Sequence, residues 1–466
     1  MNTRCLGRAV VATLILAAGG SAAAAGQYAW RDRGEEHDRG HGGSSPSGET
    51  IVRWNENNFA LLTTLDNGAP AGLELNRALT IVHIAMHDAA NGVRSKYERY
   101  ALTETDAEAD PALAAAAAAH AALVTLRPGK AAEADAFLQT DLDRVTDPDK
   151  RRRSLDLGAA AADAILARRA DDGFFDVVPY TFDAPAPGVY QPVPPANTEV
   201  IGTQLPFVTP FALASTDQFR PPPPPSLFSH AWKFEYDEVK ELGRSTSTVR
   251  TEDQTQAVLF WLEQTQFVWN RIARIAATER DKGLWQTARA FALVNMGLMD
   301  GLLSNFEAKY HYNYWRPFTA IREVDDGRDD TVMDPAWEPL TATPGHPEYN
   351  SAQGVSAGAA ASVLSRIYGI QFAFTLTTTT ADPAASTRSY DTFIEAVIEG
   401  ALSRIWGGIH FRSSTLLGGI QGLLIGSFIY DYELRPTDPW SARGRATAAV
   451  RGGPGHGARA ARQPPS

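Results

Sequence analysis

Segments with apolar residues at helical spacing follow one another through most of this chain, and only residues 372–380 carry the β-branched run that a strand favours. That imbalance points to an all-α architecture of two packed helical bundles with little or no strand. Residues 76–91 put Leu79, Val82, Ala85 and Met86 on one stripe of period 3.6. Residues 111–126 read as an alanine-rich helix, and 150–171 and 237–242 as further helices. The stretch 177–225 is proline-rich and ends in Pro221 to Pro225, a stiff extended segment that cannot be helix. Beyond it, helical patterns return at 251–277, 282–310, 352–368, 389–405 and 413–430.

The proline stretch therefore separates an N-terminal helical part, 50–225, from a C-terminal one, 226–435. With 466 residues, 44% of them hydrophobic, the chain can bury a large core. Residues 1–26 have a basic start (Arg4, Arg8), an apolar middle and small residues at the end, the layout of a secretory signal peptide. The two arginines are not adjacent, so a twin-arginine signal is not present, and the expected destination is periplasmic or secreted. Cys5, the single cysteine, lies within that segment, so the processed chain is expected to hold itself together by packing rather than by disulfides. Residues 27–49 read as a disordered leader, in which His37 and His41 are solvated, and 436–466 as a disordered tail.

A formal net charge of -11 argues against a nucleic-acid partner, because binding to phosphodiester backbones needs a basic surface. Residues 415–430 are apolar but broken by Gln421 and several glycines, and are shorter than the roughly 18 to 20 residues of a membrane span, so they read as a core helix. No period of 20 to 50 residues repeats, which excludes a solenoid.

Three elements carry chemistry. Lys309 and Arg316 lie seven residues apart, close to two helical turns, so both cations project from one face before Pro317 ends or kinks the helix. Tyr310, Tyr312, Tyr314 and Trp315 around them suggest a buried setting, and buried cations need an anion. Next, Thr343-Pro-Gly-His-Pro-Glu-Tyr leads into Asn350-Ser351-Ala352-Gln353 and a helix of small residues, capped by Asn350 or Ser351. An ordinary capped helix explains these residues too. As a helix start, though, it offers free amides, a positive dipole end and a serine hydroxyl to an oxyanion. Lastly, Arg404 and His410 are six apart, roughly 240° around a helix, so both reach one point only if Gly407 and Gly408 break it.

Together these elements resemble the vanadium-dependent haloperoxidase and acid phosphatase superfamily, which includes the type 2 phosphatidic acid phosphatases. The shared pattern is Lys, six residues, Arg-Pro; then Pro-Ser-Gly-His; then Ser-Arg, five residues, His. Lys309 with Arg316-Pro317, and Ser403-Arg404 with His410, match the first and third elements. The resemblance to the exported bacterial haloperoxidase-like branch extends over most of 54–432 through His83 to Asn91, the proline run, Phe260-Trp261, Trp269-Asn270 and the Thr343 motif. It implies that Lys309, Arg316 and Arg404 neutralise the oxygens of bound vanadate, or of phosphate in its place. Ser351 and an amide near Ala352 would add hydrogen bonds. His410 would bond the vanadium, or attack phosphorus in a phosphatase.

Two positions depart from the pattern. Gln353 stands where the family's general acid/base histidine is expected, and an amide does not titrate near neutral pH. Ser414 stands four after His410, where this branch often has an aspartate that orients the histidine. His346 is a candidate to replace the missing acid. The implied activity is peroxidase: hydrogen peroxide oxidises a halide, which then halogenates an organic acceptor. The alternatives are an acid phosphatase cleaving a phosphate ester with His410 as nucleophile, and a non-catalytic or repurposed oxyanion binder. His83 and His87 share a helical face as zinc ligands do, but the glutamate of a His-Glu-x-x-His site is missing, and the pair reads as structural. The acidic stretch 325–330 lacks calcium-loop spacing and reads as a solvated turn.

Overall fold

The computed structural model describes residues 46–193, 199–378 and 386–437; the expected signal segment, most of the expected leader (to residue 45) and the expected tail from residue 438 lie outside the described residues. Thirteen α-helices and one two-stranded antiparallel sheet make up the regular structure of the described residues. The N-terminal helices are α1 (Glu49–Leu62), α2 (Glu74–Val93), α3 (Pro111–Leu126), α4 (Ala131–Leu142) and α5 (Pro148–Arg168). After the proline-rich connection come α6 (His230–Leu242), α7 (Glu252–Phe260), α8 (Thr265–Glu279), α9 (Leu284–Tyr312), α10 (Pro317–Arg322) and α11 (Ala352–Tyr368). Strands β1 (Phe374–Thr377) and β2 (Thr387–Tyr390) precede α12 (Phe393–Trp406) and α13 (Arg412–Tyr432).

Local chemistry explains several helix starts. Asp110 accepts the amides of Ala112 and Leu113 at α3, and Asp147 those of Asp149 and Lys150 at α5, each followed by a proline whose fixed φ suits the first helical position. Thr251 and Gln254 form a reciprocal capping box at α7. One apolar cluster takes in α2, α3, α5, α8, α9 and α11. A second, aromatic cluster of Trp232, Tyr314, Trp315, Trp337, Tyr349 and Phe411 lies under the loop that leads into α11.

α11 and α13 meet through glycine. A Cβ at Gly422 would fall 2.0 Å from the carbonyl oxygen of Val355, and one at Gly426 2.2 Å from that of Ala359. Only hydrogen fits there, so the two backbones touch and α11 is fixed in place along its length. Among the described helices α13, with 21 residues and a mean hydropathy of 1.2, is long and apolar enough to cross a membrane by length and composition. It is longer than the segment its apolar residues mark in the sequence, and its glycine face is taken up by α11.

Three local expectations need correction. The helix expected over 251–277 is two, because the chain turns at Trp261 and restarts at Thr265, which leaves the Trp261 carbonyl free for a side chain. The helix expected from residue 389 starts at Phe393, capped by Thr392; Thr387 to Tyr390 instead pair with β1. The turn at 325–330 is not simply solvated, since Asp326 is buried and accepts the Trp232 indole N–H and the Thr331 hydroxyl. The leader expected to 49 and the tail expected from 436 overlap ordered structure at their inner ends: the Pro46 carbonyl accepts the amide of Leu284, α1 starts at Glu49, and Pro436 bridges to Tyr97.

Candidate oxyanion site

Lys309 lies on the last turn of α9, which stops at Asn313 because that residue adopts a left-handed conformation (φ 45°, ψ 43°) and returns its amide to the Lys309 carbonyl. Arg316 therefore does not share a helical face with Lys309, contrary to the spacing argument. It caps the start of α10 in extended conformation, and the turn between the two brings the cations together.

Both are fully buried. Lys309 Nζ donates to the carbonyls of Pro347, Glu348 and Asn350 at 3.0, 2.9 and 2.6 Å. Arg316 donates Nε to the His346 carbonyl and Nη1 to that of Ile409, with His410 Nε2 at 3.3 Å from Nη1 and His346 Nδ1 at 2.9 Å from Nη2. The loop 343–351 thus wraps the two cations with carbonyl oxygens and no carboxylate.

Arg404, on the last turn of α12, donates Nη2 to the Trp261 carbonyl freed by the break after α7, and its Nε meets the Ser403 hydroxyl. The glycine break works as expected: α12 ends at Trp406, Gly408 takes a positive φ of 80°, and His410 follows just before α13. Arg404 forms no hydrogen bond with His410, but its charge acts on that ring together with those of Arg316 and Lys309.

Ser351 occupies the N-cap position of α11, yet its hydroxyl caps nothing and is buried without a partner. Its amide donates to the Ser414 carbonyl. The amides of the first helical turn, from Ala352 on, have no intrahelical acceptor. Gln353, on that turn, accepts the Thr265 hydroxyl on Oε1 at 2.8 Å, and its Nε2 is buried with no partner.

Burial dominates the electrostatics. It pushes Lys309 well below the ordinary lysine range, with Arg316 adding to the effect, and lowers Arg316 and Arg404 to about 10. Burial, and then the neighbouring cations, hold His410 and His346 neutral. The buried Arg77 and Arg169 both pair with Asp172, whereas the buried Arg289 donates to the carbonyls of Leu434 and Tyr430. Among the described residues Lys309, Arg316 and Arg404 form no ion pair. Lys309 and Arg316 act on one carboxyl, that of Glu348, which burial pushes up to about 7 against their pull.

Glu348 is the residue that sequence reasoning missed. Its Oε1 lies 2.7 Å from His410 Nδ1 and accepts the Phe411 amide at 3.0 Å, while Ser414 Oγ is 3.2 Å from the same ring nitrogen. The signal for it was a lone acidic residue inside the Thr343 motif. His346, considered as a stand-in acid, has its Nδ1 2.9 Å from Arg316 Nη2 and 3.1 Å from the Pro347 carbonyl, and burial with the neighbouring cations disfavours its charged form. His83 contacts Asn55 and stacks on Phe291, His87 contacts Asp88, and the described residues contain no group of three side chains suited to a metal ion.

Fold and side chains define an all-helical protein with a buried, cation-rich niche at the junction of α9, α11, α12 and α13. A family model for the second helical-bundle domain of vanadium chloroperoxidase matches residues 289–438. The vanadium chloroperoxidase of Curvularia inaequalis is 27% identical over 402 residues, an alignment covering 68% of this chain and 65% of that protein, so the chain spans about two thirds of its relative's length. The crystal structure of a bacterial vanadium-dependent iodoperoxidase has a TM-score of 0.72 and 26% identity, covering 86% of this chain and all of that one. A bacterial vanadium-dependent chloroperoxidase in its holo form has a TM-score of 0.66 over 84% of this chain and 98% of its own; at 16% identity the likeness is one of fold. Residues 289–438 thus match the second helical-bundle domain of vanadium chloroperoxidase, and the chain as a whole is similar to vanadium haloperoxidases.

Proposed function

We propose that this chain binds a tetrahedral oxyanion, vanadate or phosphate in its place, and that with vanadate it acts as a peroxidase oxidising halide with hydrogen peroxide. One observation carries the reading: three buried cations, Lys309, Arg316 and Arg404, all act on His410 and form no ion pair among the described residues, and the Ser351 hydroxyl at the start of α11 is buried without a partner. Buried charge of one sign is costly unless an opposite charge joins it, and an oxyanion both supplies that charge and accepts the Ser351 hydroxyl.

Lys309, Arg316 and Arg404 neutralise the oxyanion, Ser351 and the amide of Ala352 donate to it, and His410 offers Nε2 as its fixed ligand. Bound vanadate supplies the Lewis acidity that activates peroxide for halide oxidation, in which halide, hydrogen peroxide and one proton give hypohalous acid and water. Delivery of that proton is the weak step here, because Gln353 has none to transfer. The substrates are small molecules: halide, peroxide and an organic acceptor. The chain is read as periplasmic or secreted, with no nucleic-acid partner and no membrane span.

Gln353 also favours a second reading, a repurposed member that holds vanadate or phosphate without turnover. Phosphate-ester hydrolysis with His410 as nucleophile suffers more from the same substitution, since an alkoxide would leave unprotonated. Halide oxidation with and without vanadate, run beside phosphate-ester hydrolysis, separates the three. Vanadate-dependent oxidation supports the peroxidase; binding without either activity supports the repurposed binder.

A further inference from the structure

His410 has neighbours on both ring nitrogens, and the chemistry of each is fixed by something other than the ring. Arg316 can only donate, so Nε2, 3.3 Å from its Nη1, is the acceptor side of the imidazole. On the other side Glu348 Oε1 already takes the Phe411 amide, which marks it as an acceptor, and it lies 2.7 Å from Nδ1. A neutral imidazole carries one proton, and both neighbours place it on Nδ1. The nitrogen left with a lone pair is Nε2, facing Arg316.

We propose that Glu348 is the positioning residue for His410 in this chain, fixing the Nδ1–H tautomer and the ring's orientation so that Nε2 is presented to the oxyanion. This rests on the oxyanion reading above. Glu348 also acts through space on Lys309 and Arg316, but it hydrogen-bonds neither: its contacts are His410 and the Phe411 amide on Oε1, and Oε2 is buried without a partner. It also explains how the site tolerates Ser414, one helical turn beyond His410. Ser414 Oγ reaches the same Nδ1 at 3.2 Å, a longer contact from a neutral group, while the carboxylate comes from a different segment, the loop two residues before Asn350. A ligating histidine whose far nitrogen donates to a carboxylate is a stronger and better-aimed ligand, and loss of such a partner typically weakens binding at the ligated atom by about 10 to 100-fold.

The test compares two anions that ask different things of His410. Vanadate bonds to Nε2, whereas phosphate is held by charge and hydrogen bonds alone. In the full chain, Glu348→Gln, close to the same shape, should weaken vanadate binding by roughly 10 to 100-fold in calorimetry and leave inorganic phosphate binding unchanged or tighter, since a negative charge has left the niche. Equal loss of both anions, or no loss of vanadate, overturns the assignment. A second measurement needs no ligand and no variant at 348: nitrogen-15 spectra of histidine-labelled wild type, with His410 identified by its disappearance in His410→Asn, should report Nδ1–H and a bare Nε2. An Nε2–H tautomer overturns the proposal. Wild type that binds neither anion overturns the oxyanion reading instead, and the tautomer then judges Glu348 on its own.

Discussion

Thr265 Oγ donates to Gln353 Oε1 at 2.8 Å, which turns the amide nitrogen of Gln353 toward a buried position with no partner. The contact ties the first turn of α8 to the first turn of α11, where the family's acid/base histidine is expected. An amide held there can hydrogen-bond to an oxyanion but cannot protonate anything. The wild type is accordingly expected to be slow or inactive in vanadate-dependent bromide oxidation, and Gln353→His to raise the rate by up to about 10² to 10⁴-fold. Initial rates at saturating vanadate check this; no gain in a variant that still binds vanadate moves the repurposed-binder reading ahead.

Ser414→Asp, which the sequence alone suggests as a helpful companion change, should now do harm. The Nδ1 of His410 is already served by Glu348, and a second carboxylate beside it would meet a like charge in a buried site. Adding Ser414→Asp to Gln353→His is expected to weaken vanadate binding relative to Gln353→His alone, as read by calorimetry.

Ser351→Ala should act in opposite directions on stability and binding. The hydroxyl is buried and unpaired in the free protein, so removing it relieves an unsatisfied group and leaves stability equal or higher by about 1 kcal/mol in urea unfolding. Vanadate and phosphate affinity should fall, because the bound oxyanion loses a donor. Lower stability without loss of affinity would take Ser351 out of the site.

Glu235 predicts a pH dependence. Burial pushes its carboxyl up to about 7, against the Ser413 hydroxyl and amide that hydrogen-bond it and with Glu348 and Glu238 adding to the rise. The folded state therefore keeps this proton at a pH where the unfolded chain, with the ordinary value of 4.5, has released it. The resulting stabilisation is complete below about pH 4.5 and is lost as the pH rises through 7. At about 1.4 kcal/mol per unit this amounts to at most on the order of 3 kcal/mol. Glu235→Gln, which cannot ionise, should flatten that part of the stability curve; an unchanged slope between pH 5 and 7 contradicts the assignment.

The helices and the three motifs were legible because each rests on local signals. The 3.6 period and the glycine break before His410 need no knowledge of the fold. Three features needed the tertiary structure. The turn after Phe260 depends on the Trp261 carbonyl meeting Arg404 from α12, a contact 143 residues away in sequence. The route from Lys309 to Arg316 depends on the backbone of Asn313, which residue spacing does not encode. Glu348 could be seen as an unusual acid in the Thr343 motif, but its partner comes from a segment 62 residues on.

The central claim, that the buried cations exist to hold an oxyanion, is tested most directly by titrating the full chain with orthovanadate in a calorimeter, wild type beside Arg404→Ala. Arg404 donates to a carbonyl and has no carboxylate, so its charge is free for the ligand. Saturable one-to-one binding is expected for the wild type, weakened roughly 10 to 100-fold by the substitution, the range of a lost charge-assisted hydrogen bond of about 1.5 to 3 kcal/mol. Absence of binding to the wild type, or equal affinity in Arg404→Ala, would contradict it.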